Sequence, residues 1–248
     1  MGTDDTLVSV LTSGASGIEV PLTAEEITGL RYFAGALREK NKVMNLTGIT
    51  DDEGIAMRHF VDSLTIVRYI REEQQKAGKE DLTLIDVGTG AGFPGIPVKI
   101  AIPELQVTLM DSLQKRLNFL EEVTDALSMK DIRTLHSRAE DAGRNKRYRE
   151  QYDIATARAV ADLPVLCEYC LPFVKVGGIF LAMKGRSEDE TKRSAKAVAT
   201  LGGTIEKCDS FCLPGTDMER SVIVIRKLRH TPPAYPRQAG KPSRSPIV

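Results

Sequence analysis

A chain of 248 residues, 42% of them hydrophobic, is long enough for one sizeable α/β domain with an appendage. Lysine plus arginine and aspartate plus glutamate number 34 each, so the net charge is zero, which taken alone argues against a nucleic-acid binder. No run approaches the roughly eighteen apolar residues of a membrane span, and the N-terminus has acids where a signal peptide has basic residues, so we expect a cytoplasmic protein without a membrane partner.

The region before the first predicted strand divides into two parts. Residues 1–20 are predicted to be a flexible extension, and residues 21–78 a helical region. Thr23 and Glu26 have the spacing of a capping box and precede apolar residues at helical intervals, which predicts an amphipathic helix. A second helix is predicted from about residue 52 to residue 73.

Residues 79–229 alternate between strand-like and helical patterns. Strand-like apolar runs occur at 82–87, 105–110, 151–157, 177–183 and 221–226, with weaker ones near 132–136 and 203–208. Alternating βα units imply a mostly parallel sheet covered by helices on both faces. The two runs nearest the C-terminus, 203–208 and 221–226, are typical of a terminal antiparallel hairpin.

The strand at 82–87 leads into the glycine-rich loop "DVGTGAGFPG". Glycines permit positive φ and a close approach of ligand to backbone, and small molecules bind beyond the carboxyl ends of strands in open α/β sheets. One phasing, "GAGFPG", satisfies the dinucleotide pattern GxGxxG, but Pro94 removes an amide that would face a pyrophosphate. The other phasing, "DVGTGAG", places Asp86 at the strand end before Gly88 and Gly90, and it is typical of S-adenosylmethionine-dependent methyltransferases.

The next strand ends in Asp111, twenty-three residues after Gly88. A carboxylate there can accept hydrogen bonds from ribose hydroxyls, and its alternative role is an N-cap for the following helix. No second catalytic domain of the dehydrogenase type remains in the chain. The predicted fold is therefore α/β, a Rossmann-like class I methyltransferase with a mostly parallel seven-stranded sheet, a terminal antiparallel hairpin and an N-terminal helical extension.

Four cysteines are too few for a disulfide scaffold. Cys167 and Cys170 form a C-x-x-C pair and Cys208 and Cys212 follow about forty residues later, a spacing that allows a four-thiolate zinc site. The first pair lies in an apolar segment and the second beside a predicted strand, where cysteine behaves as a small core residue. We therefore favour core packing and expect no metal.

Charge is unevenly distributed between the two ends of the chain. Residues 1–30 contain five acids and no lysine or arginine, whereas residues 226–248 contain six basic residues and no acid. Residues 230–248 are rich in proline, glycine and serine, which predicts an extended, mobile basic arm. Such an arm suits a polyanion, and a solvated tail without a partner is the alternative.

Eight segments together resemble one known family: "NLTGI", "RHFVDSL", "IDVGTGAGFPGIP", "LMDSLQKRLNFL", "SRAED", "ATARAVADL", "AMKGR" and "YPRQAGKPSRSPI". It is the RsmG family, also called GidB or glucose-inhibited division protein B. The resemblance covers roughly residues 25–247, and the tail is similar to that of Gram-positive members. It implies transfer of a methyl group from S-adenosylmethionine to N7 of one guanine in 16S ribosomal RNA, with the RNA or the small ribosomal subunit as partner. We expect a monomer.

Carried over position by position, the resemblance places Gly88 and Phe93 against the cofactor, Ala139 and Glu140 beside its adenine, and Arg158 at the edge of the pocket. The glycine loop and the second strand add three candidates on physical grounds: Asp86, Gly90 and Asp111. Six residues are candidate RNA contacts: Arg58, His59, Lys184, Arg237, Lys241 and Arg244. A structural role for His59 is an equally good interpretation.

The residues after the fourth strand bear on the target atom. Methylases of exocyclic amines commonly carry an Asn-Pro-Pro-aromatic motif there, whereas this chain has "ARAV", and no cysteine adjoins a proline as in cytosine-C5 enzymes. A ring nitrogen with its own lone pair fits, because it needs no general base. Two alternatives stay open: a nicotinamide-dependent oxidoreductase and a non-catalytic RNA-binding module.

Overall fold

The computed structural model describes residues 3–248, with side chains from residue 6 onward, and its seven strands form one sheet. The strands are β1 Thr83–Val87, β2 Gln106–Asp111, β3 Ile132–His136, β4 Tyr152–Arg158, β5 Val174–Lys184, β6 Gly203–Cys212 and β7 Glu219–Lys227. Their order is β3-β2-β1-β4-β5-β7-β6. The first five pair in parallel, and β7 runs antiparallel to both β5 and β6. The predicted fold class is confirmed.

Helices precede the sheet and connect its strands. They are α1 Thr3–Gly17, α2 Ala24–Met44, α3 Asp52–Gly54, α4 Asp62–Leu64, α5 Val67–Ala77, α6 Gly95–Ala101, α7 Gln114–Ala126, α8 Ala139–Ala142, α9 Leu163–Cys170, α10 Glu188–Thr200 and α11 Lys241–Arg244. A π-helical segment, Ile55–Val61, joins α3 to α4, and a 3₁₀ turn, Leu171–Phe173, follows α9. The second predicted helix therefore occupies its expected place but is divided into segments.

The predicted capping box opens α2. The Thr23 hydroxyl accepts a hydrogen bond from the Glu26 amide at 3.2 Å, and the Glu26 carboxylate accepts one from the Thr23 amide at 2.6 Å. These reciprocal bonds satisfy two amides that a helix start leaves without intrahelical partners. The sequence signature therefore marks the helix start correctly.

Two hydrophobic clusters lie on the two faces of the sheet. Successive residues of β1 divide between them: Leu84 joins the cluster under the N-terminal helices, and Ile85 joins the cluster under α9 and α10. Both side chains are fully buried. This is the period of two expected for a central parallel strand covered on both faces.

The prediction that residues 1–20 are flexible is wrong for the described part of that segment, because α1 packs into the core. Leu7, Leu11 and Ala15 recur at intervals of four residues and are 0 to 2% exposed. Gly14 allows close contact with the π-helical segment, since a Cβ there would lie 2.7 Å from Val61 Cγ2. The helical spacing of Leu7, Leu11 and Ala15 gives α1 an apolar stripe, which needs a partner surface.

The C-terminal arm is also packed rather than mobile. The Arg237 guanidinium forms an ion pair with Glu168, whose side chain is 1% exposed, at 2.6 Å. The arm contains the short helix α11. Composition predicted mobility, but one buried acid on α9 supplies a partner that the composition of the arm does not reveal.

The two cysteine pairs have different surroundings. Cys167 and Cys170 are buried in the core under β4 and β5, and burial raises the pKa of both thiols, whereas Cys208 and Cys212 are exposed on β6. Core packing was therefore the wrong prediction for the second pair, because β6 is an edge strand. Among residues 3–248, no group of three or more metal-ligating side chains comes together.

No helix in that range has the length and apolar character of a bilayer-spanning segment.

The packing of α1 predicts a large effect of truncating a side chain there. Leu11→Ala removes a fully buried side chain, so the free energy of unfolding should fall by about 2 to 5 kcal/mol in urea denaturation. Ser9→Ala changes an exposed position of the same helix and should alter it by less than about 0.5 kcal/mol. Equal stability of the two variants would mean that α1 is not part of the core.

Candidate active site

The glycine loop turns sharply at the carboxyl end of β1. Gly88 and Gly90 have φ of 76° and 59°, values in the left-handed region that favours glycine. The Gly88 amide donates to the Met110 carbonyl at 2.9 Å, which ties the loop to the end of β2. A Cβ added at Gly90 would meet nothing closer than the Gly88 carbonyl oxygen at 3.9 Å, so the backbone there faces open space.

Asp86 holds this loop from below. It is fully buried, and its Oδ2 accepts hydrogen bonds from the Thr89 hydroxyl at 2.7 Å and the Gly95 amide at 2.9 Å. Burial raises the pKa of its carboxyl to about 6, against the effect of these two hydrogen bonds. The other oxygen, Oδ1, is buried without a hydrogen-bond partner among the described residues. An unpaired buried carboxylate oxygen is costly, so its presence beside the glycine loop requires an explanation.

Asp111 fixes the loop from the side. Its Oδ2 accepts from the Gly90 amide at 3.0 Å and from Arg116 at 3.2 Å, and its Oδ1 accepts from the Leu113 amide at 2.9 Å. The last bond supports the turn that leads into α7, but the N-cap residue of α7 is Leu113 and no side chain caps the helix, so the alternative N-cap role of Asp111 is wrong. A carboxylate offers about four acceptor sites, so one remains for a ligand.

A cavity of about 310 Å³ opens at the carboxyl ends of β1 and β2. Four of the eight predicted cofactor residues line it: Gly88, Asp111, Ala139 and Glu140. The other four contribute no surface to its lining: Asp86, Gly90, Phe93 and Arg158. Its volume lies at the lower end of the range typical of small-molecule sites.

Phe93 lies in the core rather than at the cavity surface. It is 5% exposed, and its ring centroid lies 5.2 Å from that of Phe33 and 6.0 Å from that of Phe60. The His59 imidazole stacks on it at 4.5 Å, and the Arg158 guanidinium lies 5.0 Å from its centroid. Phe93 thus supports the two polar side chains that border the loop.

Arg158 connects the end of β4 to the N-terminal helices. It donates to Asp62 Oδ2 at 2.9 Å and to the Arg58 carbonyl at 3.1 Å. Arg220 on β7 donates to the second oxygen of Asp62, also at 2.9 Å. The Asp62 side chain is 8% exposed and the Arg158 side chain 14%, so this ion cluster is largely shielded from solvent. It joins three separate parts of the chain at the carboxyl edge of the sheet.

His59 is held in its neutral form. Burial, followed by the nearby charge of Arg158, lowers its pKa from 6.5 to about 4. Its Nε2 lies 2.8 Å from the Thr47 hydroxyl, and its Nδ1 lies 3.4 Å from Arg158 Nη2. Because the guanidinium can only donate, Nδ1 is the acceptor and Nε2 carries the proton. The imidazole therefore does not titrate near neutral pH.

The six candidate RNA contacts have different environments. Arg58 is exposed beside Arg158, and Lys241 and Arg244 are exposed on α11. The Lys184 ammonium donates to the Ala161 carbonyl and pairs with Glu190, each at 2.7 Å. The remaining two are engaged inside the protein: His59 and Arg237.

Sequence reasoning missed the side chains that hold these residues in place. Asp62, Glu168 and Arg220 each form an ion pair that spans between 69 and 158 residues along the chain. A local motif carries no signal for such pairs. An acid within the otherwise apolar segment "LPVLCEYCLPF" was the available hint for Glu168, because a buried charge requires a partner.

Comparison with known proteins assigns the chain to a family. The family model described as rRNA small subunit methyltransferase G, GidB, matches residues 26–217. The chain belongs to this family. It is 55% identical over 242 residues to the ribosomal RNA small subunit methyltransferase G of Acetivibrio thermocellus, covering 98% of this chain and 97% of the relative. The corresponding protein of Leuconostoc citreum is 47% identical, with 97% and 99% covered.

The GidB family assignment agrees with the solved structures that share this fold. A mutant of the 16S rRNA (adenine(1408)-N(1))-methyltransferase from Catenulisporales acidiphilia has a TM-score of 0.51 at 16% identity and covers 64% of this chain and 91% of its own. TrmN from Thermus thermophilus has a TM-score of 0.50 at 18% identity, covering 70% and 53%. Neither alternative left open by the sequence, an oxidoreductase or a non-catalytic RNA-binding module, describes a member of the GidB family.

The lowered pKa of His59 predicts how stability depends on pH. As pH falls from 6.5 to about 4, the unfolded chain binds a proton at His59 before the folded chain does, so stability is lost over this window. The raised pKa of Asp86 acts in the opposite direction between pH 6 and 3.8, so a variant is needed to isolate the histidine.

In urea denaturation at pH 7 and pH 5, His59→Gln should lose about 2 kcal/mol less than the unmutated chain does on acidification. The two proteins are compared by how much their free energy of unfolding changes with pH, because the substitution also removes the stack on Phe93 and so lowers stability at every pH. Identical losses in the two proteins would show that His59 is free to protonate in the folded state.

Proposed function

We propose that the chain transfers the methyl group of S-adenosylmethionine to N7 of one guanine in 16S ribosomal RNA. The observation that carries the proposal is the cavity at the carboxyl ends of β1 and β2, whose walls combine a bare glycine backbone with the carboxylates of Asp111 and Glu140. Membership of the rRNA methyltransferase family supports the reaction class and the RNA substrate.

The residues present fit S-adenosylmethionine. Asp111 keeps a free acceptor site for ribose hydroxyls, and Ala139 and Glu140 form the neighbouring wall where the family resemblance places adenine. The open space at Gly90 lets a ligand approach the backbone. The unpaired oxygen of Asp86 lies under the same loop and favours a cationic ligand, because a positive charge nearby lowers the cost of its burial. When bound, S-adenosylmethionine supplies an activated methyl group on a positively charged sulfur.

The same features disfavour a dinucleotide. A pyrophosphate needs free amides at a helix start, but the first amide of α6, that of Gly95, donates to Asp86. Two carboxylates, Asp111 and Glu140, line the cavity against one cation, Arg138, so the wall is net negative and disfavours phosphate, whereas ribose hydroxyls can donate to both carboxylates. The glycine spacing allowed either S-adenosylmethionine or a dinucleotide, and the charge of the cavity walls favours S-adenosylmethionine.

Methylation of a guanine ring nitrogen requires no proton transfer from the substrate. The N7 lone pair forms the new bond to the methyl carbon, and the electrons of the sulfur–carbon bond remain on sulfur. The lowered pKa of His59 makes its imidazole a weak proton acceptor, which is consistent with chemistry that needs no general base. The contribution of the chain is to position the two reactants in line and to exclude water.

Exposed cations surround the proposed site. Arg138 lines the cavity, Arg58 lies beside the Arg158 cluster, and Lys241 and Arg244 flank the cavity-lining Ser243. Phosphate contacts of this kind position RNA without reading its sequence. A chain with zero net charge therefore still offers a local basic surface for the RNA.

The cofactor assignment predicts a defined loss on removing the ribose acceptor. Asp111→Ala deletes charge-assisted hydrogen bonds of about 1.5 to 3 kcal/mol, so S-adenosylmethionine affinity measured by calorimetry should fall roughly ten- to a hundredfold. Asp125→Ala, which removes an exposed acid near the end of α7, should leave the affinity unchanged. NAD should bind neither protein.

The same variants test the function in cells. Mass spectrometry of 16S ribosomal RNA should show one methylated guanine that disappears when the gene is deleted and returns with the unmutated gene or Asp125→Ala. Asp111→Ala should restore less of it. Unchanged RNA in the deletion strain would contradict the proposed reaction, and unchanged affinity in a folded Asp111→Ala protein would contradict the ribose contact.

A further inference from the structure

The C-terminal segment, residues 231–248, is fixed to the rest of the chain by a buried ion pair. Glu168 on α9 accepts a hydrogen bond from the Arg237 amide at 2.7 Å and two more from its guanidinium, Nε at 2.9 Å and Nη2 at 2.6 Å. The Glu168 side chain is 1% exposed. Separating such a pair leaves a buried charge without its partner, so this point of the segment is firmly held.

Two arginines before β4 hold the start of the segment. The Arg149 guanidinium donates to the carbonyl oxygens of Thr231 at 2.6 Å and Tyr235 at 2.8 Å. Arg144 Nε donates to the Pro236 carbonyl at 2.7 Å. These bonds are made to the backbone, so they fix the path of the segment and direct its later residues toward α8 and α9.

Beyond these anchors, the segment reaches the proposed cofactor cavity. The Gly240 amide donates to Glu140 Oε1 at 2.9 Å, and the Ser243 and Tyr169 hydroxyls lie 2.8 Å apart. Gly240, Ser243 and Tyr169 line the same cavity as Gly88 and Glu140. The C-terminal segment therefore supplies part of a cavity wall more than 100 positions away from the glycine loop in the chain.

We propose that Gly240 and Ser243 are part of the cofactor-binding site and close its adenosine side. The inference rests on the proposed use of S-adenosylmethionine. The Gly240 amide orients Glu140 and leaves its second oxygen available to the ligand, and Ser243 extends the same wall beside Tyr169. A segment whose composition suggests a mobile RNA-binding arm thus determines cofactor affinity.

Calorimetric titration with S-adenosylmethionine and S-adenosylhomocysteine tests the inference. A chain ending at Ala239 keeps the Arg237 anchor but loses Gly240 and Ser243, and its affinity for both ligands should fall at least tenfold. The matched control, Lys241→Ala with Arg244→Ala, removes the same two positive charges from exposed positions and keeps the wall residues Gly240 and Ser243, at the loss of one 3.2 Å hydrogen bond from Arg244 Nε to the Gly240 carbonyl. It should bind both ligands within about twofold of the full chain.

Equal affinity of the shortened and full chains would overturn the inference while leaving the proposed function intact. A full chain that binds neither ligand would instead contradict the proposed function itself. Circular dichroism of the unliganded proteins checks that the shortened chain is folded.

If the shortened chain does not fold, a pair of point variants decides. Ser243→Leu enlarges a side chain that lines the cavity, whereas Ser245→Leu makes the same change at an exposed position outside its lining. Affinity at least fivefold weaker in the first variant alone supports the inference. Equal affinities contradict it.

Discussion

The carboxylate of Asp86 is the constraint on which the geometry of the site depends. It is fully buried at the end of β1, and one of its oxygens connects the middle of the glycine loop, at Thr89, to the start of α6, at Gly95. A side chain at Gly95 would collide with Leu109, so this close approach requires glycine. With the loop fixed in this way, Gly88 at its start lines the cavity. The remaining oxygen is buried without a hydrogen-bond partner among the described residues.

Two further buried acids fix the other sides of the same region. Asp62 binds Arg158 and Arg220, and so holds the N-terminal helices against the ends of β4 and β7. Glu168 binds Arg237 and so holds the C-terminal segment over α8 and α9. Each acid joins segments far apart in the chain, and breaking such a pair is strongly destabilising. Residues from both ends of the chain therefore lie at the carboxyl edge of the central sheet, next to the glycine loop.

The sequence predicted those features that are set by local patterns. Alternating apolar runs located all seven strands, the capping box located the start of α2, and the spacing of Asp111 from the glycine loop placed a carboxylate in the cavity wall. Features that depend on distant partners were missed. The packing of α1 needs the π-helical segment, and the path of the C-terminal segment needs Glu168, 69 residues before Arg237. Composition alone suggested that both ends of the chain were mobile.

Methyl transfer to guanine N7 can be tested most directly with the purified chain, 16S ribosomal RNA or small ribosomal subunits, and S-adenosylmethionine labelled in its methyl group. N7-methylguanine carries a fixed positive charge, so the base is lost after mild reduction and the RNA strand then breaks with aniline. We expect incorporation of label and a single break that requires S-adenosylmethionine. RNA that carries the label and resists this cleavage would show that the methyl group is on another atom.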